Sequence, residues 1–447
     1  MDISLPCSSQ KRYLTGIDWS INALDAITKQ ATGHGNSSQV ILVLNGRLDP
    51  ADLADLLRKI FKGHPVLSGN LGRDWSLCPC WRMPGKPPRN LPLSVTTEKD
   101  DWEEIFLRFQ RHVNQPFAGE RQHLHFHLVN CGSRRSYLGM HFDHRLLDAF
   151  GAEAFLELIQ QTHQGKQSAI TEQISLVEDA HLDHWARRFQ GGKAVNRLQI
   201  RLSRGGVAAF PTPALIPPLS TRFNLTTLSE EETEQLVERA FGTAGYFMLL
   251  PSLLAGVVRA LDRLARKRGR PAGHYIIPVS VVNRTPQEKW EKLFFNHVSF
   301  IIFQIPVKLA RERSGLVKFL RDRLYDHMKS GTPDDFYHAS MLTRIVPLPL
   351  MRMLAKIPMR GQIGTSYFAC LKESGYNSSE FMGLEVENLI HTPHVPPPPG
   401  VGVFLNQFRG RFNLMLSHLE GIFSSEEASK LTTQMRRELV GEPTEDI

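Results

Sequence analysis

The sequence is poor in cysteine and contains no apolar run long enough to cross a membrane. Its five cysteines (Cys7, Cys78, Cys80, Cys131 and Cys370) are odd in number and scattered, which excludes a disulfide scaffold and suits reduced thiols in a cytoplasmic protein. The pair at 78–80 lacks the second ligand pair of a structural zinc site, so both read as plain thiols. No stretch approaches the roughly 18 uncharged apolar residues of a membrane helix. The opening MDISLPCSSQKRYL has neither the basic leader nor the apolar core of a secretory signal.

A strong charge imbalance is also missing. Lysine and arginine number 53 against 45 acidic residues, a formal net charge of +8. The cations are dispersed among acidic residues with no aromatic-interleaved stripe, which argues against a nucleic-acid partner. The densest basic segment, PLPLMRMLAKIPMRGQ (347–362), punctuates an apolar run with cations. It reads as a packed helix with its cations snorkelling outward, or as a face making peripheral membrane contact or covering an apolar tunnel.

What is present is an alternation of strand and helix signals. A chain of 447 residues, 41% apolar and 22% charged, can fill the cores of two lobes. SQVILVLNG (38–46) reads as a strand leading to a helix that Asp49 caps, with Leu53, Leu56, Leu57 and Ile60 on one face. QHLHFHLVN (122–130) and SYLGMHFD (136–143) alternate and form a hairpin around NCGSRR. Ser229 and Ser424 begin acidic helix starts, and VGVFLNQFRGRFNLMLSHLEG reads as a second hairpin. The expected organisation is an N-terminal lobe over 1–190, a Gly- and Pro-rich linker or crossing loop over 191–219, and a C-terminal lobe over 220–447. The fold class is α/β (α+β), and the chain is expected to be monomeric.

The chemistry concentrates in HFDHRLLDAFGAEAFL (141–156). Side chains three apart on a strand point to opposite faces, so His141 and His144 would not share a metal. His123, His125 and His127 do share a face, which reads as a solvated hairpin face in preference to a metal site. At the end of the strand, His144 can project an imidazole into a cleft while Asp148 turns back to hold the loop, and an imidazole so placed is a good general base.

The string FDHRLLDAFGAEAFL resembles the active-site segment of the chloramphenicol acetyltransferase-like superfamily, which carries HHxxxDG or DHRxxDG. With about 300 residues following His144, the layout is similar to the two-lobed branch that includes condensation domains, wax ester synthases and polyketide-associated acyltransferases. RYLTGIDWSINALD, GHPVLSGNLG, IIPVSVVNR, FNHVSF and the C-terminal FNLMLSHLEGIFSSEEASKL extend the resemblance over most of the chain. Two positions depart from the pattern: Asp143 replaces the first histidine, and Ala149 the glycine after the aspartate.

The resemblance implies two lobes, each a mixed sheet with helices, and a central cleft or tunnel. His144 would be the general base, with Asp148 a structural brace bonded to Arg284, or locally to Arg145. Ser366, Thr365 and Asn296 are candidate oxyanion or cleft residues, with Ser299 beside them. Asn406 is a further candidate to face the cleft, and His391 and His394, in a proline-rich loop, read as structural. Apolar residues around 248–258 and 340–358 would suit an acyl tunnel. No metal and no bound cofactor are implied. A CoA or phosphopantetheine thioester would be co-substrate, delivered as acyl-CoA or on an acyl carrier protein, with a small alcohol or amine as acceptor. The rival expectation, favoured by Asp143 and Ala149, is an inactive protein of the same fold that binds a carrier protein or lipid.

Overall fold

Five successive apolar residues, Val40 to Leu44, have the pattern of a strand covered on both faces. In the computed structural model of the chain they lie inside a six-stranded sheet, each 9% exposed or less. The structure describes residues 11–84, 88, 90–166, 174, 185–208, 210, 216–245, 248–269, 271–344, 346–351, 353 and 364–442.

The first half runs β1 (Lys11–Tyr13), α1 (Gly16–Thr32), β2 (Ser37–Asn45), α2 (Pro50–Gly63), β3 (Asn70–Arg73), β4 (Pro79–Arg82), β5 (Leu93–Thr97), α3 (Trp102–Val113), β6 (Leu124–Cys131), β7 (Arg135–Asp143), α4 (Ala149–His163) and α5 (Trp185–Ser203). The second half runs β8 (Thr221–Thr227), α6 (Glu230–Ala244), α7 (Leu249–Arg268), β9 (His274–Val282), β10 (Val298–Pro306), α8 (Arg313–Lys329), α9 (Thr332–Thr343), β11 (Tyr367–Leu371), β12 (Glu380–Phe381), β13 (Leu384–Pro393), β14 (Val401–Phe408), β15 (Arg411–Leu419) and α10 (Ser425–Val440). The expected caps form. Asp49 accepts from the backbone N–H groups of Ala51 and Asp52, and Ser229 and Ser424 each close a capping box.

One sheet has the order β12-β13-β2-β7-β6-β5 and the other β10-β9-β11-β14-β15-β8, with a small sheet β1-β4-β3 at the side. Each large sheet anchors its own apolar core. The expected hairpins β6–β7 and β14–β15 are both present.

Three expectations are corrected. First, residues 191–203 are not linker but the second part of α5, and irregular chain begins after Ser203. Gly191, which reads as a breaker, is a close-approach site: a Cβ there would lie 2.7 Å from the Asp335 carbonyl oxygen of α9. Second, β13 leaves the C-terminal half and pairs with β2, placing His391 beside Val40, so the N-terminal sheet takes two strands from the other half. Third, the histidine face of β6 is not solvated, since His123 and His127 are buried. The His112 ring of α3 lies 3.7 Å from that of His127, tilted by 37°, and the His127 ring stacks 4.3 Å from that of His125. In stacked rings the in-plane lone pairs run side by side instead of converging, and no group among the described residues is arranged to hold a metal. Most of 347–362 lies outside the described residues.

Candidate active site

β7 ends at Asp143 and α4 begins at Ala149, so the motif occupies the turn between a buried strand and a buried helix. Asp148 caps α4, its Oδ1 accepting from the Gly151 N–H at 2.8 Å. Its Oδ2 accepts from the His297 N–H at 2.9 Å and from the Arg284 guanidinium. Both side chains of the Asp148–Arg284 pair are buried. Burial pushes the Asp148 carboxyl up, but the Arg284 charge and the backbone donors outweigh it and hold the group below the ordinary carboxylate value. Asp148 is therefore a brace bonded to Arg284, and Arg145 turns elsewhere.

Arg145 belongs to Asp143. Its Nε lies 3.0 Å from Oδ1 and 2.9 Å from Oδ2, its NH2 donates to Oδ2 at 2.6 Å, and its backbone N–H donates to Oδ1 at 2.9 Å. His123 Nδ1 adds a contact of 2.9 Å to the same carboxylate. Asp143 is 2% exposed. Burial opposes its ionisation, yet Arg145 and His123 drive its pKa far below the usual range. Asp143 thus stands as an ion-pair anchor where the family pattern has a histidine.

Three consecutive residues of the second half clamp this turn. The Phe295 N–H donates to the Leu146 carbonyl at 2.6 Å, Asn296 Nδ2 donates to the His144 carbonyl at 2.8 Å, and His297 donates to Asp148 as above. Asn296 also places its Oδ1 3.0 Å from His144 Nδ1. Its Nδ2 must face the carbonyl, so its oxygen must face the ring. A carbonyl oxygen only accepts, hence Nδ1 carries the proton and Nε2 keeps the lone pair.

His144 lines a cavity of about 180 Å³ between the two large sheets. Ala149, Ser280, His391 and Asn406 share it, and Phe142, Phe300 and Phe404 supply apolar wall. Ala149 is the first residue of α4 and has an ordinary negative φ, so the backbone has no need of glycine there; the extra methyl group faces the cavity.

The hydroxyl candidates separate. Thr365 Oγ1 donates to the Ala208 carbonyl at 2.7 Å and accepts from the Ile276 N–H at 3.2 Å, and Ser366 Oγ donates to the carbonyl of Tyr367 at 2.9 Å. Neither lines the cavity; both precede β11 and are spent on backbone groups. Ser299 is spent on the Pro333 carbonyl at 2.6 Å. Asn296 stands behind the imidazole instead of in the cavity. Ser280 on β9 is the hydroxyl that sequence reasoning missed: it lines the cavity and has no hydrogen-bond partner among the described residues. The alternation that puts Tyr275, Ile277 and Val279 on the opposite, buried face of β9 was the available signal. Asn406 lines the cavity, while His391 lies in β13 and not in a loop. Leu253, Leu254, Val257 and Val258 are core of the second half, so the apolar wall comes from other residues.

No family model matches the chain, and no curated protein matches its sequence. Solved structures do match its fold from end to end. The first condensation domain of the CDA synthetase is 15% identical, with 97% of this chain and 96% of that chain covered at a TM-score of 0.64. The TRI3 trichothecene 15-O-acetyltransferase from Fusarium sporotrichioides is 12% identical over 96% and 94%, at 0.68. The X-domain from teicoplanin biosynthesis is 16% identical over 99% and 97%, at 0.61. At these identities the likeness is one of fold: the chain has the two-lobed fold of condensation domains.

Proposed function

We propose that the protein is an acyltransferase, moving an acyl group from a thioester of CoA or of a carrier-protein phosphopantetheine to a hydroxyl or amine acceptor. The observation that carries this reading is the lone pair of His144 Nε2, held by Asn296 at a largely apolar cavity between the two sheets. Nε2 takes a proton from the acceptor as its heteroatom attacks the acyl carbonyl, and returns it to the departing thiolate. Asp148 takes no part in proton transfer, being committed to Arg284. Ser280 can donate its unpartnered hydroxyl to the developing oxyanion. No helix among the described residues is long and apolar enough to cross a membrane.

The contrary reading, an inactive protein that holds a carrier or lipid, depends on Asp143 and Ala149. Asp143 is bonded to Arg145 and His123, and Ala149 fits its backbone without strain, so neither removes the base. The test is thiol release from acyl-CoAs of graded chain length and from acylated carrier protein, with alcohols and amines, for wild type and His144→Ala. Loss of transfer with unchanged thermal unfolding is expected; unchanged turnover in the variant would sink the mechanism.

A further inference from the structure

An imidazole–carboxylate pair stands on the cavity wall, and the mechanism above does not use it. Glu153 of α4 is 1% exposed and takes His391 Nε2 at 2.6 Å on one oxygen. Its other oxygen accepts from Ser374 Oγ at 2.6 Å and the Gly375 N–H at 2.7 Å. A carboxylate only accepts, so Nε2 carries the ring proton and Nδ1 the lone pair. His391 is 7% exposed, lines the same cavity as His144, and its Nδ1 has no partner among the described residues.

The other charged and titratable groups nearby are committed. Asp148 is held by Arg284. His394 has both ring nitrogens engaged, with Thr221 and the Val113 carbonyl. Glu157, on the same helix as Glu153, accepts from the backbone of Asn377 and Ser378, and Lys289 faces both glutamates. Among the described residues of the cavity, two imidazole lone pairs remain: His144 Nε2 and His391 Nδ1.

We propose that the acceptor is a primary amine and that His391 removes the first of its protons; this rests on the acyl-transfer reading above. The proton count separates the two acceptor classes. An alcohol loses one proton on becoming an ester, the departing thiolate takes one, and a single base suffices. An ammonium ion must lose two protons to become an amide nitrogen, the thiolate takes back one, and one is left over. His391 Nδ1 accepts the first, and the freed nitrogen pair forms the C–N bond while the carbonyl pair moves to oxygen. His144 Nε2 takes the second, the oxyanion re-forms the carbonyl, and the C–S bond breaks with its pair on sulfur. Sulfur is protonated by His144, and His391 returns its proton to solvent. Glu153 makes protonated His391 a neutral ion pair, so the stored proton adds no net buried charge.

The experiment uses full-length protein labelled with nitrogen-15 histidine, as wild type and His391→Gln, probed with hexylamine hydrochloride and with 1-hexanol. Expected is a His391 Nδ1 resonance of the unprotonated type that moves towards the protonated position with hexylamine and stays in place with hexanol. A protonated Nδ1 in the free protein, or a ring unmoved by hexylamine, overturns the proposal. With acetyl-CoA as donor, His391→Gln is expected to lose about a hundredfold in rate towards hexylamine near neutral pH, regain about tenfold per pH unit as free amine accumulates, and lose far less towards hexanol. Equal loss with both acceptors would reduce His391 to a structural residue and overturn the proposal. Transfer absent in wild type with every donor and acceptor would sink the acyl-transfer reading instead, and the ring titration would still decide this one.

Discussion

Asn296 grips His144 at two points, its Nδ2 on the backbone carbonyl and its Oδ1 on ring Nδ1, across 152 residues of sequence. Its own backbone N–H donates to Asp18 Oδ1 at 3.1 Å, so α1 holds the amide that holds the imidazole. Orienting partners of this kind are worth about 10–100-fold in activity when removed. Asn296→Ala should lower kcat by that factor with little change in KM. Nitrogen-15 spectra of His144 should show a mixture of ring tautomers. A variant with a single tautomer and full activity would remove Asn296 from the mechanism.

Asp148 and Arg284 make a buried pair whose value lies in not being broken. Removing one partner leaves a charge in a site closed to water, at a cost of about 3–5 kcal/mol. Arg284→Met should therefore lower the unfolding temperature more than Asp148→Asn, which keeps a hydrogen-bonding side chain at the head of α4. The double variant should recover part of the Arg284→Met loss. Strict additivity of the two effects in thermal unfolding would contradict direct coupling.

Ser280 and the pair Thr365–Ser366 make opposite predictions. Deleting one oxyanion donor costs about 10²–10³ in kcat, and Ser280→Ala is expected to show a loss of that order with an intact fold. Ser366→Ala should be kinetically silent. Thr365→Val should act on stability, because it leaves the Ala208 carbonyl without its donor. A Ser366→Ala variant slower than Ser280→Ala would reverse the assignment.

Much of this site is written locally. Four-residue spacing sets His144 and Asp148 at the two ends of one turn, and the strand before them and the apolar helix after them follow from periodicity alone. The remainder depends on contacts that spacing does not encode. The Asp148–Arg284 pair spans 136 residues, and Thr365 meets Ala208 across 157. A hydroxyl before a strand looks the same whether it faces a cavity or a carbonyl. β13 carries no mark of crossing to the other sheet, because antiparallel pairing with β2 requires only an extended apolar segment. Glycines that line a helix–helix contact carry the same signal as those that end a helix, which is how α5 reads as linker.

Ala149 offers a test of access to the base. Since its φ is ordinary, Ala149→Gly should alter stability by no more than about 1 kcal/mol while widening the approach to His144. Ala149→Leu should fill the cavity mouth, raising KM for bulky acceptors more than for small ones. The readout is the ratio of kcat/KM for two acceptors of different width. Equal changes for both would mean that the methyl group does not border their path.

Acid should unfold the protein through its buried histidines before its carboxylates are reached. Burial pushes His64 down to about 4 and His141 to about 3, with the charges of His125 and His34 adding to the effect on His141. Burial likewise lowers His112 to about 4, and His297 to about 4 with the help of Arg284. An unfolded chain takes up these protons near the ordinary histidine value of about 6.5, whereas the folded chain does not until well below it. Between those values the unfolded state binds more protons, so stability must fall as pH falls. Each such ring contributes a slope of about 1.4 kcal/mol per pH unit. Asp143 and Asp148 act in the same direction only at lower pH, because their folded values lie below the ordinary carboxylate range. Urea midpoints measured from pH 7 to pH 5 should decline steadily. His141→Phe, which keeps the stack with Phe117 and removes a buried ring nitrogen that has no partner, should flatten the decline. A midpoint constant across that range would show that these rings gain protons without cost in the folded state, and that the interior around β6 and β7 admits water.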